Sequence, residues 1–181
     1  MNLSSIKRLT LTALCIALCV VVPMAFHVIP NAGAVMLPMH IPVLLCGLVC
    51  GWQYGLRCGI LGPLVSSVMT GMPPAAMLPG MMVECGMYGG VGGLMMDRVR
   101  TGSLYADLYI SLPVAMLMGR VISGIVKALI LTPGLSFTAG ATASFVTALP
   151  GISIQLILLP TLIVALTRAS LIPGRYVCAR A

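Results

Sequence analysis

Apolar residues run through this chain in long blocks, and the polar positions fall mostly between them. Blocks suited to helices cover residues 8–26, 40–52, 56–70, 78–96, 108–131 and 144–166. At ~1.5 Å of rise per residue the first block reaches across a hydrocarbon layer. The third block is short and interrupted by Pro63. Gly and Pro punctuate the chain between the blocks, as in the stretches QYGLR and TGMPPAAMLP. The break at 27–39 holds Pro30, Asn31, Gly33 and Pro38 but is otherwise apolar, which predicts a loop folded back on the bundle. Residues 97–107 are the most polar of the chain and read as aqueous, whereas 132–143 are small and uncharged. The pattern predicts an all-α integral membrane protein, one membrane domain over residues 1–181 with six transmembrane helices.

Composition points the same way. Hydrophobic residues make up 60% of the 181 and charged ones 7%, with a mean hydropathy of +1.12. That excess of apolar surface suits a chain whose solvent is lipid. The 20 Gly and 13 Pro are also better tolerated in a membrane bundle than in a soluble one. Lys7 and Arg8 ahead of an apolar run resemble a signal peptide. The run to Phe26 is long for that and no A-x-A site follows, so it is read as the first spanning helix.

Charge then orients the bundle. Ten Lys and Arg stand against three Asp and Glu, a net charge of +7. In a soluble protein that would suggest nucleic acid. Here the cations sit at the ends of apolar blocks, where they act on topology and lipid headgroups. With six spans, Lys7 and Arg8, Arg57, Arg98 and Arg100, then Arg168, Arg175 and Arg180 fall on one side, and the other connections carry no charge. Both termini are therefore expected in the cytoplasm, in a multi-pass protein of the cell membrane.

A few polar residues break the apolar blocks. Glu84 lies within the fourth, Arg120 and Lys127 within the fifth, and Gln155 within the sixth. Counted from the outer helix ends at ~1.5 Å per residue, Lys127 lies ~6 Å deep, Glu84 ~9 Å, Tyr88 ~15 Å, and Arg120 and Gln155 ~16 Å. Helical spacing puts Glu84 and Tyr88 on one face, and Arg120, Ser123 and Lys127 on another. His40 and Asn31 are expected at the outer mouth. Ionisable groups at such depths face a partner or a cavity. One reading is a structural Glu84–Arg120 pair, with Lys127 snorkelling to the surface. The other is an outward-opening ligand pocket built from Asn31, His40, Glu84, Tyr88, Arg120, Lys127 and Gln155. A pair can also be a pocket wall.

Other features are weaker. Cys15/Cys19 and Cys46/Cys50 have i, i+4 spacing that suits a soft metal, but reduced packing thiols explain them as well, and no metal site is assigned. Gly51, Gly55 and Gly59 straddle a break and read as turn residues, whereas Gly86/Gly90 and Gly89/Gly93 allow close helix packing. Ala13 and Ala17 form a small-xxx-small face. No HExxH, GxSxG or phosphate-binding Gly-rich loop with Lys occurs, which argues against catalysis and against ATP hydrolysis by this chain. Ser66 and Ser67 with His40 are the nearest approach to an intramembrane protease. No cofactor is expected.

The segments LPMHIPVLLCGLVCG, GPLVSSVMTGMPP, MLPGMMVECGMYG and GRVISG, with Ala13-x-x-x-Ala17 and a basic N-terminus, resemble the substrate-binding S components of energy-coupling factor (ECF) vitamin transporters. The nearest group holds riboflavin-, pantothenate- and hydroxymethylpyrimidine-type members. The resemblance implies high-affinity binding of a water-soluble vitamin or precursor from outside. The pocket would lie among helices 4 to 6, capped by the loop at 27–39. It implies that Ala13 and Ala17 dock on the coupling membrane subunit, which two cytoplasmic ATPases drive, and that the bundle topples to release its cargo. Aromatics are only 5% of the chain, which weakly disfavours flavin or thiamin. The Arg120, Lys127 and Glu84 set suits an acid that also carries an amide or hydroxyl, such as pantothenate, and equally a pyrimidine or a cobalamin precursor. The rival reading is a self-sufficient secondary carrier or channel, which would need a second gate and polar residues in the inner half.

Overall fold

The computed structural model describes residues 4–26, 38–130, 137–169 and 171–172, with the backbone alone at 26, 127–130 and 137–150. The described residues form six α-helices and no strand: α1 Ser5–Phe26, α2 His40–Cys50, α3 Trp52–Thr70, α4 Leu78–Arg98, α5 Leu104–Ile130 and α6 Phe137–Arg168. Three segments are long and apolar enough to cross a membrane: Ser5–Ala25, Leu104–Val126 and Gly151–Arg168. The middle helices fall short of that standard for identifiable reasons. α2 has 11 residues, and α3 and α4 are diluted by Gly and by Gln53, Arg57, Glu84 and Asp97.

The second break is smaller than the sequence suggests. QYGLR is not a turn: the chain reverses at Gly51 alone, whose φ of +99° suits glycine, and α3 starts at Trp52. Pro63 sits inside α3 without ending it. The α3–α4 turn is held from below. Ser66 Oγ donates to the Met72 carbonyl and Ser67 Oγ to the Pro73 carbonyl, each at 2.8 Å. These bonds assign the two serines to the turn. Residues 99–103 are the only non-helical part of the stretch expected to be aqueous. Asp107, fully buried on the first turn of α5, accepts bonds from Thr101 N (2.8 Å) and Thr101 Oγ1 (2.7 Å) and closes that loop. α6 begins at Phe137, within the stretch read as a small uncharged connection.

Glycines set how closely the helices approach. A Cβ on Gly47, Gly55 or Gly89 would strike the backbone of another of the three, and one on Gly59 would strike the backbone at Cys85. Gly93 likewise faces the backbone of Trp52 and Gly47. α2 and α3 thus fold as a V around α4 with main chains in contact, the mode that small residues permit in lipid. Gly55 and Gly59 belong to this packing and not to a turn, which corrects their reading from sequence. Gly86 and Gly90 meet only the side chains of Leu56 and Ile60, at 3.4–3.7 Å.

The order of contacts yields a ring. α2 packs against α4 and α6, and α5 packs against the same two; α3 lies outside that ring against α4 and α2, and α1 lies outside it against α3 and α2. Towards the end that carries Gly51 and the start of α5, the ring is filled with apolar side chains. A Cβ added at Gly92 of α4 would meet Leu44 of α2 at 3.6 Å and Ala115 of α5 at 3.5 Å, and Leu108, Leu112 and Leu159 are fully buried.

Candidate functional site

All four ring helices carry a buried polar residue: His40 on α2, Glu84 and Tyr88 on α4, Arg120 and Ser123 on α5, and Gln155 on α6. Three of the helices converge on Glu84, whose exposure is only 4%. Its Oε1 accepts a bond from Tyr88 Oη at 3.3 Å, and its Oε2 one from Ser123 Oγ at 3.2 Å. Arg120 Nη2 lies 3.8 Å and His40 Nε2 3.7 Å from Oε1. Those two separations are ion-pair distances, beyond the ~3.2 Å reach of an N–H···O hydrogen bond.

Local sequence explains the convergence. Glu84 and Tyr88 are one turn apart on α4, so their side chains stack on one face. Arg120 and Ser123 do the same on α5. Gly119 makes room between the helices: a Cβ there would overlap the Tyr88 ring and stop 3.4 Å from the Glu84 carbonyl. His40, the first residue of α2, sets its ring 4.9 Å from that of Tyr88, tilted by 56°. Tyr88 is therefore wedged between Gly119 and His40, with its hydroxyl fixed on the carboxylate.

The expected residues fare unequally. Glu84, Tyr88, Arg120 and His40 come together in one cluster. His40 is not at an open mouth: it is 1% exposed and belongs to the buried centre, because α2 is a full wall of the ring. Gln155 is fully buried on α6. Lys127 lies on α5, but its side chain is outside the described residues, as are Asn31 and the whole of 27–37. The depth count placed Glu84 and Arg120 at different levels; the reach of the arginine side chain joins them. Gly119 was missed because a glycine in an apolar run has no chemistry to notice. Ser123 was placed on the right face, but its bond to a residue on another helix is not legible from spacing.

Among the described residues no group of three His, Cys, Asp or Glu is placed to hold a metal ion. Cys15, Cys19, Cys46, Cys50, Cys58 and Cys85 are buried free thiols within the apolar core. Cys46 Sγ donates to Thr12 Oγ1 (3.6 Å) and Cys19 Sγ to the Met39 carbonyl (3.7 Å), contacts that stitch α1 to α2 and to the residue preceding it. On α1, Ala13, Leu14, Ala17 and Val21 are exposed, so the small-residue face has no partner within the described chain.

The fold and its centre define a class: a helical membrane protein with a polar core assembled from separate helices. The chain belongs to the family of ECF transporter substrate-specific components, whose model matches residues 7–172. That family supplies components of transporters and is not a family of enzymes. No curated protein and no solved structure matches the chain.

Proposed function

We propose that the protein binds a water-soluble vitamin or vitamin precursor with high affinity from outside the cell and delivers it through an ATP-driven ECF transporter. One observation carries this reading: a Glu, an Arg, a His and a Tyr from three helices share one buried point in a chain of this family. An ionisable residue inside a membrane bundle faces a partner or a cavity and points by default to a functional site. The binding set is His40, Glu84, Tyr88, Arg120 and Gln155, with Asn31 and Lys127 on the outer side.

In this reading the whole chain is one membrane domain in the plasma membrane, crossing six times with both termini in the cytoplasm. The 11-residue α2 and the Gly-containing α3 and α4 complete the spans by packing inside the bundle. The apolar filling around Leu44, Leu108 and Leu112 closes the inner half. A bundle closed on that side is unsuited to act as a channel, and release then needs the coupling membrane subunit and two cytoplasmic ATPases. The exposed Ala13 and Ala17 are the docking face. Uptake of a radiolabelled vitamin into vesicles, with and without the coupling module and ATP, tests the proposal. Uptake is expected only with both; accumulation by the chain alone would identify a self-sufficient carrier instead.

A further inference from the structure

The charged members of the cluster answer one another. Glu84 takes hydrogen bonds from Tyr88 Oη on Oε1 (3.3 Å) and from Ser123 Oγ on Oε2 (3.2 Å), and Arg120 lies at ion-pair distance, 3.8 Å, from the same carboxylate. One carboxylate and one guanidinium leave no net charge for a third group to offset. His40 differs. Its side chain is only 2% exposed, and neither Nδ1 nor Nε2 has a hydrogen-bond partner among the described residues. Nε2 at least faces Glu84 Oε1, at 3.7 Å. A nitrogen lone pair turned on a carboxylate would be repelled, so this nitrogen carries the proton. In a neutral imidazole the other nitrogen is then an acceptor. Nδ1 is therefore a buried acceptor that no described group meets, and such atoms are rare in native proteins.

We infer that His40 reads the ligand through Nδ1, accepting a hydrogen bond from a hydroxyl or an uncharged N–H of the bound molecule. The inference rests on the binding reading above, and it needs neither Glu84 nor Arg120 to be open. The ring is held in place for this contact. Its neighbour Tyr88 stands 4.9 Å away, tilted by 56°, and the tyrosine hydroxyl is itself fixed on Glu84. A ligand group with acceptors only at this point, such as a carboxylate or a carbonyl oxygen, would set lone pair against lone pair. A cationic donor would bring a charge that the balanced pair does not offset. A hydroxyl or a neutral ring or amide N–H satisfies the nitrogen and adds no charge.

The chain contains two histidines, His27 and His40. Protein labelled with ring-15N histidine and reconstituted in lipid therefore gives two sets of ring signals, and His27→Asn, which removes one set, assigns the other to His40. Spectra are taken without ligand and with a bound probe: the molecule that native mass spectrometry finds on the protein, or riboflavin, pantothenate or hydroxymethylpyrimidine added in turn. The expected result is a neutral His40 ring protonated on Nε2, with the Nδ1 signal moving upfield when the probe binds, as an acceptor nitrogen does on gaining a hydrogen bond. Calorimetry supplies a second reading. His40→Asn, which keeps an acceptor oxygen near the Nδ1 position, should retain most of the probe's affinity, whereas His40→Leu should lose roughly twofold to tenfold, the worth of one neutral hydrogen bond. The NMR arm stands even if a His40 variant fails to fold. A probe that binds with Nδ1 unmoved, or a His40 ring protonated on Nδ1, would overturn the inference and leave vitamin binding intact. No molecule on the protein and no binding by any of the three probes would overturn both.

Discussion

Glu84 and Ser123 lie 39 residues apart in sequence, yet the serine hydroxyl donates to the carboxylate at 3.2 Å across the α4–α5 interface. With Arg120 one turn earlier on the same helix, this bond makes α4 and α5 one unit around a buried charge. Replacing Glu84 by Gln keeps the shape but leaves the guanidinium without its counter-ion. Breaking a buried pair in this way costs about 3–5 kcal/mol in soluble proteins. Glu84→Gln should lower the unfolding midpoint in detergent sharply. Ser123→Ala, which removes one hydroxyl bond, should cost only about 1–2 kcal/mol. Thermal unfolding followed by intrinsic fluorescence or static scattering measures both.

Gly119 controls the pose of Tyr88. Gly119→Ala puts a methyl group where the ring lies, so the ring and its hydroxyl must leave Glu84. Overpacking of this kind costs about 1–3 kcal/mol, and ligand affinity should fall with it. Gly124→Ala on the same helix meets nothing within 4 Å and should change neither property. Equilibrium binding of the co-purified ligand to the two variants separates a local effect from a general loss of helix packing.

The Gly47–Gly55–Gly89 contact is main chain against main chain, with no flexible atom to move aside. Gly89→Ala should push α4 away from α2 and α3 and sharply reduce the yield of monodisperse protein on size exclusion. Gly90→Ala, which faces Leu56 at 3.6–3.7 Å, should be recovered normally. Equal yields would show that the V of α2 and α3 can open without loss.

Ala13 and Ala17 should be dispensable for binding and essential for transport. Ala13→Trp adds bulk to an exposed face and disturbs no described contact, so ligand affinity should stay at the wild-type value. Uptake in vesicles carrying the coupling module should stop. Normal uptake would move the docking surface elsewhere.

How much of this was legible in the sequence depends on the kind of signal. Long apolar blocks announce helices because burial in lipid demands them, and the single carboxylate of block four is conspicuous for the same reason. The Gly51 reversal was misplaced because Gln53 and Arg57 look like loop residues, whereas on α3 they sit on helix surface that is partly exposed. The start of α6 was set late because small residues at 137–143 carry no apolar stripe. Gly55, Gly59 and Gly119 work by lacking a side chain, and a missing Cβ matters only once the facing helix is known. His40 looked peripheral by position, but α2 turned out to be a wall of the ring and drew its first residue inward.

The account stands on the Glu84–Arg120–His40–Tyr88 point being where the ligand sits. The most direct measurement is an experimental structure of the protein purified with its bound molecule. The account predicts density for that molecule within hydrogen-bonding distance of the Arg120 guanidinium and the His40 ring, inside the ring of α2, α4, α5 and α6. A molecule bound elsewhere, with the four side chains closed on one another and sealed from it, would contradict the account and leave the cluster a purely structural knot.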